Sequence, residues 1–444
     1  MFRRSLLFLA TTLLFTPFAD AQVAARPAGF RSLFNGQDLS GWEGRPHFSP
    51  LKLAEMSDED RAAQQAKWNE DIKKHWTVSA GELINDGHGA YLCTKEEFGD
   101  YELLIDFKTV ARADSGIYLK GTPQIQIWDY TDPGKFGIDS DLGSGGLWNN
   151  SKGAPGKNPF VLADKPFGEW NSFRIIQLGA RTTVYLNELL IVDNAIMENF
   201  WDRKAPLFAK GPIELQTHGG EIRWRNIAIR EILTTEANER LSAHQAQAFK
   251  SIFNGEDLTG WTGAVDNYEV VNGAIRCQDG HGGMLLAEKE YNNFIARVEF
   301  RLPPGGNNGL AIRSPGEGDV AYAGMCELQV LDSEHPKYKS LDKRQYHGSA
   351  YGMAAAHRGY LRQTGEWNFQ QVTVDGSTIT VELNGSIIMK TDLSKVTEFM
   401  AEKPHPGKDR KSGFFGFAGH NDPVEFRNVS IKELPATPEP EAAK

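Results

Sequence analysis

Leu33-Phe-Asn-Gly-Gln-Asp-Leu-Ser-Gly-Trp42 returns as Ile252-Phe-Asn-Gly-Glu-Asp-Leu-Thr-Gly-Trp261, and this return decides how the chain divides. Further matches follow in the same order. Gly168-Glu-Trp-Asn171 recurs as Gly365-Glu-Trp-Asn368, and Val184-Tyr-Leu-Asn187 as Val381-Glu-Leu-Asn384. Arg225-Asn-Ile-Ala-Ile-Arg-Glu-Ile232 closes one copy and Arg427-Asn-Val-Ser-Ile-Lys-Glu-Leu434 the other. Each copy is far longer than a solenoid repeat and has the size of a whole domain. The chain therefore reads as tandem domains over residues 30–233 and 249–434.

Inside a copy the apolar period is two. Tyr101-Glu-Leu-Leu-Ile-Asp-Phe-Lys108 matches Phe294-Ile-Ala-Arg-Val-Glu-Phe-Arg301, with charged and apolar residues alternating late in each run, as in half-buried strands. Phe173–Leu178 and Gln371–Asp375 are further strands, each followed by a polar turn and a second strand ending in Leu-Asn. Hairpins of this kind, with 45 Gly in 444 residues to make tight turns, predict an all-β fold of antiparallel sandwiches. Without a strand–helix alternation, a Rossmann or TIM architecture is disfavoured.

Residues 44–76 interrupt the first copy. Ser57-Asp-Glu-Asp60 opens them like a helix cap, so they predict a helical insertion, packed on the sandwich or closing over a ligand cleft. Residues 234–248 predict a helical linker, and 435–444, alternating Pro and Glu, a disordered tail. Arg3 and Arg4, an apolar run from Ser5 to Phe15, Pro17 and Ala19-Asp-Ala21 have the layout of a secretory signal over 1–21, cut before Gln22. The run is shorter than the ~20 residues a membrane helix needs, and no later stretch is apolar enough to span a bilayer. The expected product is a soluble, exported protein, periplasmic or extracellular. Cys93, Cys277 and Cys326 are the whole cysteine complement. Cys277 and Cys326 could pair, but buried thiols acting as small hydrophobes are the simpler reading. A net charge of −10 without a basic run argues against nucleic acid as partner.

Chemistry is expected where polar residues occupy alternate positions of a strand. Glu327-Leu-Gln-Val-Leu-Asp332 places Glu327 and Gln329 on one face, with Asp332 at its end and His335 beyond. In the first copy Gln124-Ile-Gln-Ile-Trp-Asp129 does the same with Gln124, Gln126, Trp128 and Asp129. Upstream, Asp114-Ser-Gly-Ile-Tyr-Leu-Lys120 aligns with Asn307-Asn-Gly-Leu-Ala-Ile-Arg313, so Lys120 and Arg313 are equivalent cations, able to polarise an oxygen or to form structural ion pairs. Gly143–Asn150, carrying Trp148, and His347–Gly352, carrying Tyr351, are glycine-rich loops whose aromatics suit stacking on a sugar. His218 and His420 share one position in otherwise divergent stretches, which suits acid–base or ligand work. A divalent metal on Asp332 and His335 stays open, since spacing alone fixes no ligand set.

Taken together, the Phe-Asn-Gly-x-Asp-Leu-x-Gly-Trp opening, the Gln-Ile-Gln-Ile-Trp-Asp strand, Gly-Glu-Trp-Asn and the closing Arg-Asn-Ile block resemble the 3-keto-disaccharide hydrolase domain family, over both copies. The resemblance implies a concanavalin-like, laminarinase-like jelly-roll and a glycoside already oxidised at C3 as substrate, cleaved by elimination, hydration or net hydrolysis. Such chemistry needs a base near C2, an electrophile at the C3 oxygen and an acid near the leaving oxygen. In the second copy this points to Glu327 or His420 as base, Arg313 or a metal near Asp332 and His335 as electrophile, and Tyr351 as platform, with Gln329 and His347 also contacting substrate. The matching set in the first copy is Gln124, Gln126, Trp128, Asp129, Lys120, Trp148 and His218. The copies differ at Glu327/Gln124, Arg313/Lys120 and His347/Ser144, so they are expected to hold different ligands or to divide binding from reaction. A lectin-like protein without turnover is the rival reading, because sandwiches host both functions. A conventional endo-glucanase is disfavoured for want of its Glu-x-Asp-x-x-Glu strand.

Overall fold

The computed structural model describes residues 27–435. The leader and its cleavage point lie outside them, as does all but the first residue of the acidic tail. The chain forms two β-sandwich domains, each an eight-stranded sheet packed on a five-stranded one. In the first domain the large sheet runs in the order Leu189–Ile196, Arg181–Leu186, Asn171–Leu178, Tyr101–Thr109, Ile222–Glu231, Glu82–Asn85, Trp76–Ser79, and its eighth strand, Arg31–Ser32 (Lys250–Ser251 in the second domain), pairs with Ile222–Glu231 or its equivalent off this path. The second repeats that order with Ser386–Asp392, Thr378–Leu383, Trp367–Asp375, Phe294–Arg301, Glu425–Glu433, Ala274–Cys277 and Tyr268–Val271. All the pairings are antiparallel.

The five-stranded sheets position the sites. Their orders are Trp42–Arg45, Tyr91–Thr94, Glu214–Leu215, Asp114–Leu119, Thr122–Trp128 in the first domain, and Trp261–Gly263, Gly282–Tyr291, Gly413–His420, Asn307–Ser314, Cys326–Leu331 in the second. One face of each packs on its large sheet: Ile117, Ile125, Ile127 and Leu215 enter the first core, and Leu310, Leu328, Val330 and Phe417 the second. Because side chains alternate, the intervening residues face outward.

Residues 44–76 contain the helices Pro50–Glu55 and Asp58–His75; the Ser57 hydroxyl accepts from the Asp60 N–H at 3.1 Å. Gly44 lies against the Trp68 carbonyl, where a Cβ would clash, and Trp68 and Ile72 are buried. One end of the outer face is thereby closed. Beneath it Glu214 is buried, and desolvation pushes its carboxyl up to about 8 against the pull of Arg45.

The helix Thr234–Ala243 joins the domains, burying Ala237 and Leu241 in a small cluster with Ile176, Leu178 and Phe369. Here Arg181 makes a two-pronged ion pair with Glu382, at 2.9 and 2.5 Å, and the Ala180 N–H donates to the Gly385 carbonyl. Cys93, Cys277 and Cys326 are free, buried thiols. Among the described residues no helix is long and apolar enough to cross a membrane.

Candidate functional site

On the second domain, Glu327, Gln329 and Leu331 line a cleft of about 380 Å³ on the outer face of the five-stranded sheet. Glu327 is on the edge strand and His420 ends a strand two places away, with Asn307–Ser314 between them. Gly309 on that middle strand pairs with Gln329, and a Cβ there would stand 2.1 Å from Glu327 Oε1. The missing side chain is what lets the carboxylate lie across the strand and reach His420 Nε2 at 3.1 Å. The Glu327 side chain is only 5% exposed, whereas His420 is 44% exposed. The hydrogen bond to Glu327 raises the imidazole pKa, burial opposes it, and the Asp319 and Asp422 charges add to the rise. A carboxylate behind and an accessible imidazole in front make a base with a fixed tautomer.

Other groups complete the cleft. Gln329 Nε2 donates to Asn307 Oδ1 at 2.7 Å, while its Oε1 is buried with no partner, an acceptor suited to a ligand hydroxyl. Tyr351 and Tyr322 lie edge to face at 6.4 Å. Burial raises the Tyr351 phenol, keeping its proton available for donation. Lys403 brings an ammonium to the lining, 3.5 Å from the centre of the Tyr322 ring. Its loop is held by buried His405, which stacks on Phe399 and bonds the Ala321 carbonyl oxygen at 2.7 Å.

The first domain repeats this frame with altered chemistry. Gln124, Gln126 and Gly116 stand where the second has Glu327, Gln329 and Gly309. Trp148 and Tyr351 are equivalent too: the Trp148 N–H donates to the Gln124 carbonyl at 3.2 Å and the Tyr351 N–H to that of Glu327 at 2.9 Å. Here the carboxylate has moved one strand inward, to Asp114 opposite Trp128. It accepts from Gln126 Nε2 at 2.9 Å and Lys135 Nζ at 2.7 Å, and meets His218 Nδ1 at 3.3 Å.

Several expected site residues are engaged elsewhere. Lys120 and Arg313 do not flank the carboxylates. Arg313 sits at a register shift with φ of 47°, and Lys120 in the tight turn after Leu119 with φ of 53°; each side chain runs off the outer face and into the protein. Lys120 Nζ donates to the Gly179 carbonyl and Arg313 Nη1 to that of Gly376, which are equivalent hairpin turns; both donations are 2.8 Å. Desolvation lowers the ammonium to about 8 and the guanidinium to about 10. Asp129 and Asp332 are paired as well: one accepts from the Arg112 N–H and the other from the equivalent Gly305 N–H, each at 2.8 Å, so both hold a turn. His335 caps a short turn through the Lys337 N–H, and among the described residues no three His, Cys, Asp or Glu converge as a metal site. His347 is buried against Phe300, bonded to Gln370 Oε1 at 2.9 Å and pushed down by burial to about 4, so it is a neutral core group. Trp128 is buried with its indole N–H on the Gly143 carbonyl. Conversely, Asp319, Tyr322 and Lys403 line the cleft without having been singled out from sequence.

Tandem β-sandwiches, the second with a polar cleft, match a known family. The family described as the 3-keto-alpha-glucoside-1,2-lyase-like domain matches residues 29–230 and again 248–432, so the chain belongs to that family and carries its domain twice. A 3-keto-disaccharide hydrolase from Bacteroides thetaiotaomicron is 27% identical over 230 residues, spanning 43% of this chain and 79% of the relative. Among solved structures, a candidate glycosyl hydrolase from Parabacteroides distasonis is 24% identical with a TM-score of 0.38, over 46% of this chain and 99% of its own. A carbohydrate-binding module from Bacillus subtilis is 12% identical with a TM-score of 0.27, over 39% and 96%. Family and curated relative make this a carbohydrate-active protein of hydrolase type.

Proposed function

We propose that the protein is an exported enzyme that cleaves 3-keto-glycosides at the cleft of its second domain. The observation that carries this reading is the Glu327–His420 pair, 3.1 Å apart, with the imidazole exposed in a cleft of sugar-sized volume. A ketone at C3 acidifies the C2 hydrogen, and His420 removes it while Glu327 stabilises the imidazolium that forms. Lys403 is the group of the right charge for the C3 oxygen as the enolate develops. The enolate then expels the C1 aglycone, with the Tyr351 phenol as proton donor to the leaving oxygen. Water adding back to the 2-hydroxyglucal completes a net hydrolysis. Gln329 Oε1 and Asn307 orient the ring hydroxyls, and Tyr351 and Tyr322 present aromatic surface to its apolar side. A single base with phenol and ammonium neighbours suits elimination better than the closely spaced carboxylate pair of a retaining glycosidase.

Export rests on the basic, apolar and small-residue order of residues 1–21. The test of activity is incubation with a 3-keto-glucoside and with its unoxidised parent. Release of aglycone and the absorbance of a 2-hydroxyglucal from the ketone alone support the proposal; cleavage of the unoxidised glycoside alone, or of neither, refutes it.

A further inference from the structure

The first domain holds the same scaffold with the carboxylate of its carboxylate–histidine pair moved from the edge strand to Asp114. We infer that it is a second saccharide site that binds without turning over, so that each chain carries one gripping and one reacting cleft. The inference rests on the second domain being the reacting one, as proposed above. Three features of the first domain carry it.

The first is the state of the carboxylate. Gln124 stands in place of Glu327, so a neutral amide lies across Gly116 and no anion occupies that position. The Asp114 carboxylate is committed to Lys135, Gln126 and His218 together. The Lys135 ammonium thus lies on the same carboxylate oxygen that His218 meets. His218 is 63% exposed, freer than its counterpart.

The second is recognition capacity. Trp148 replaces Tyr351 on an equivalent backbone frame and stays 37% exposed, with the Lys157 ammonium 5.1 Å from its ring centre, so it offers a sugar ring an aromatic surface with a cation beside it. Gln216, on the same outer face as His218, is 7% exposed; its side-chain amide meets the Tyr91 hydroxyl, and its Oε1 is left without a hydrogen-bond partner. A buried carbonyl oxygen without a donor is costly, and a ligand hydroxyl would satisfy it. Gln329 Oε1 plays the same part in the reacting cleft.

The third is access. Helices Pro50–Glu55 and Asp58–His75 meet this domain at Gly121, where Pro50 approaches, and at Gly89 and Ala90, where His75 packs and Asp71 accepts from the Ala90 N–H, while the His218 side chain stays 63% exposed.

The test uses the full chain in a Glu327→Gln/His420→Ala background, where turnover of the second domain is suppressed, and calorimetric titration with 3-keto-trehalose and with trehalose. Two binding events per chain are expected for the ketone, falling to one on Trp148→Ala and, independently, to one on Tyr351→Ala. Both replaced groups are at least partly exposed, and circular dichroism confirms that each variant is folded. A stoichiometry of one that Trp148→Ala leaves unchanged overturns the inference while leaving the proposed activity standing. Residual turnover in Glu327→Gln/His420→Ala that disappears on adding His218→Ala also overturns it, because the first domain then reacts. Absence of both turnover in the native chain and binding in either domain defeats the proposed function, and this inference with it.

Discussion

Glu327 and His420 divide the work of a base between a buried anion and an exposed ring. The carboxylate raises the imidazole pKa, so the group must lose its proton before it can act. The rate should therefore fall as pH drops through that raised value. In Glu327→Gln the imidazole loses its main stabilising partner, and the acid limb of kcat/KM should move to lower pH with a rate loss of roughly 10–100-fold. His420→Ala should cost roughly 10²–10⁴-fold. A Glu327→Gln profile with an unmoved limb would remove the carboxylate from this role. At this scale the sequence was legible in part. Period two placed Glu327 and Gln329 on the outer face with Leu328 and Val330 in the core, where they lie. Arg313 was expected beside that strand from its alignment with Lys120, and it lies elsewhere because the register shift after Ala311 turns the chain into a positive φ. Asp129 and Asp332 fall at strand ends, where a carboxylate caps a turn as readily as it faces a ligand.

Strands and loops decide what those residues can touch. Gly309 and Gly116 were in view as part of the Asn-Gly-Leu and Ser-Gly-Ile runs, and a glycine inside a strand signals a close approach. What approaches is a side chain from the neighbouring strand, a pairing no single strand reveals. Gly309→Ala should displace Glu327 from His420, since the new Cβ would meet the flexible carboxylate rather than backbone. We expect kcat to fall at least tenfold with Tm lowered by only a few degrees, read from parallel kinetics and thermal melts. Full activity would mean that the carboxylate need not cross the strand. Tyr322 and Lys403 reach the cleft from loops outside the repeated motifs. With no period and no matching copy, nothing in the sequence set them apart.

At the scale of the whole chain, duplication was legible from four matched blocks, and sheet order repeats strand for strand. The joint between the domains was not legible beyond the helix at 234–248. Its partners come from hairpin turns that look like ordinary Gly and Asn turns: Gly179 and Gly385 touch backbone to backbone, and Arg181 pairs with Glu382. Glu382 is buried beside a mostly buried guanidinium, so removing one partner strands a charge. Arg181→Ala should cost about 3–5 kcal/mol at the joint. In calorimetry the melting of the domains should separate into two transitions, with less separation in Arg181→Ala/Glu382→Ala than in the single variant. Equal melting of the native and variant chains would show that the ion pair does not couple the domains.

Abstraction of the C2 hydrogen is the step on which the account of the cleft turns, and solvent exchange reads it directly. A 3-keto-glucoside incubated with the full chain in D₂O should lose its C2–H proton signal with a rate that depends on enzyme, and His420→Ala should abolish that loss. Aglycone released with hydrogen fully retained at C2, or exchange that His420→Ala leaves untouched, would contradict the account.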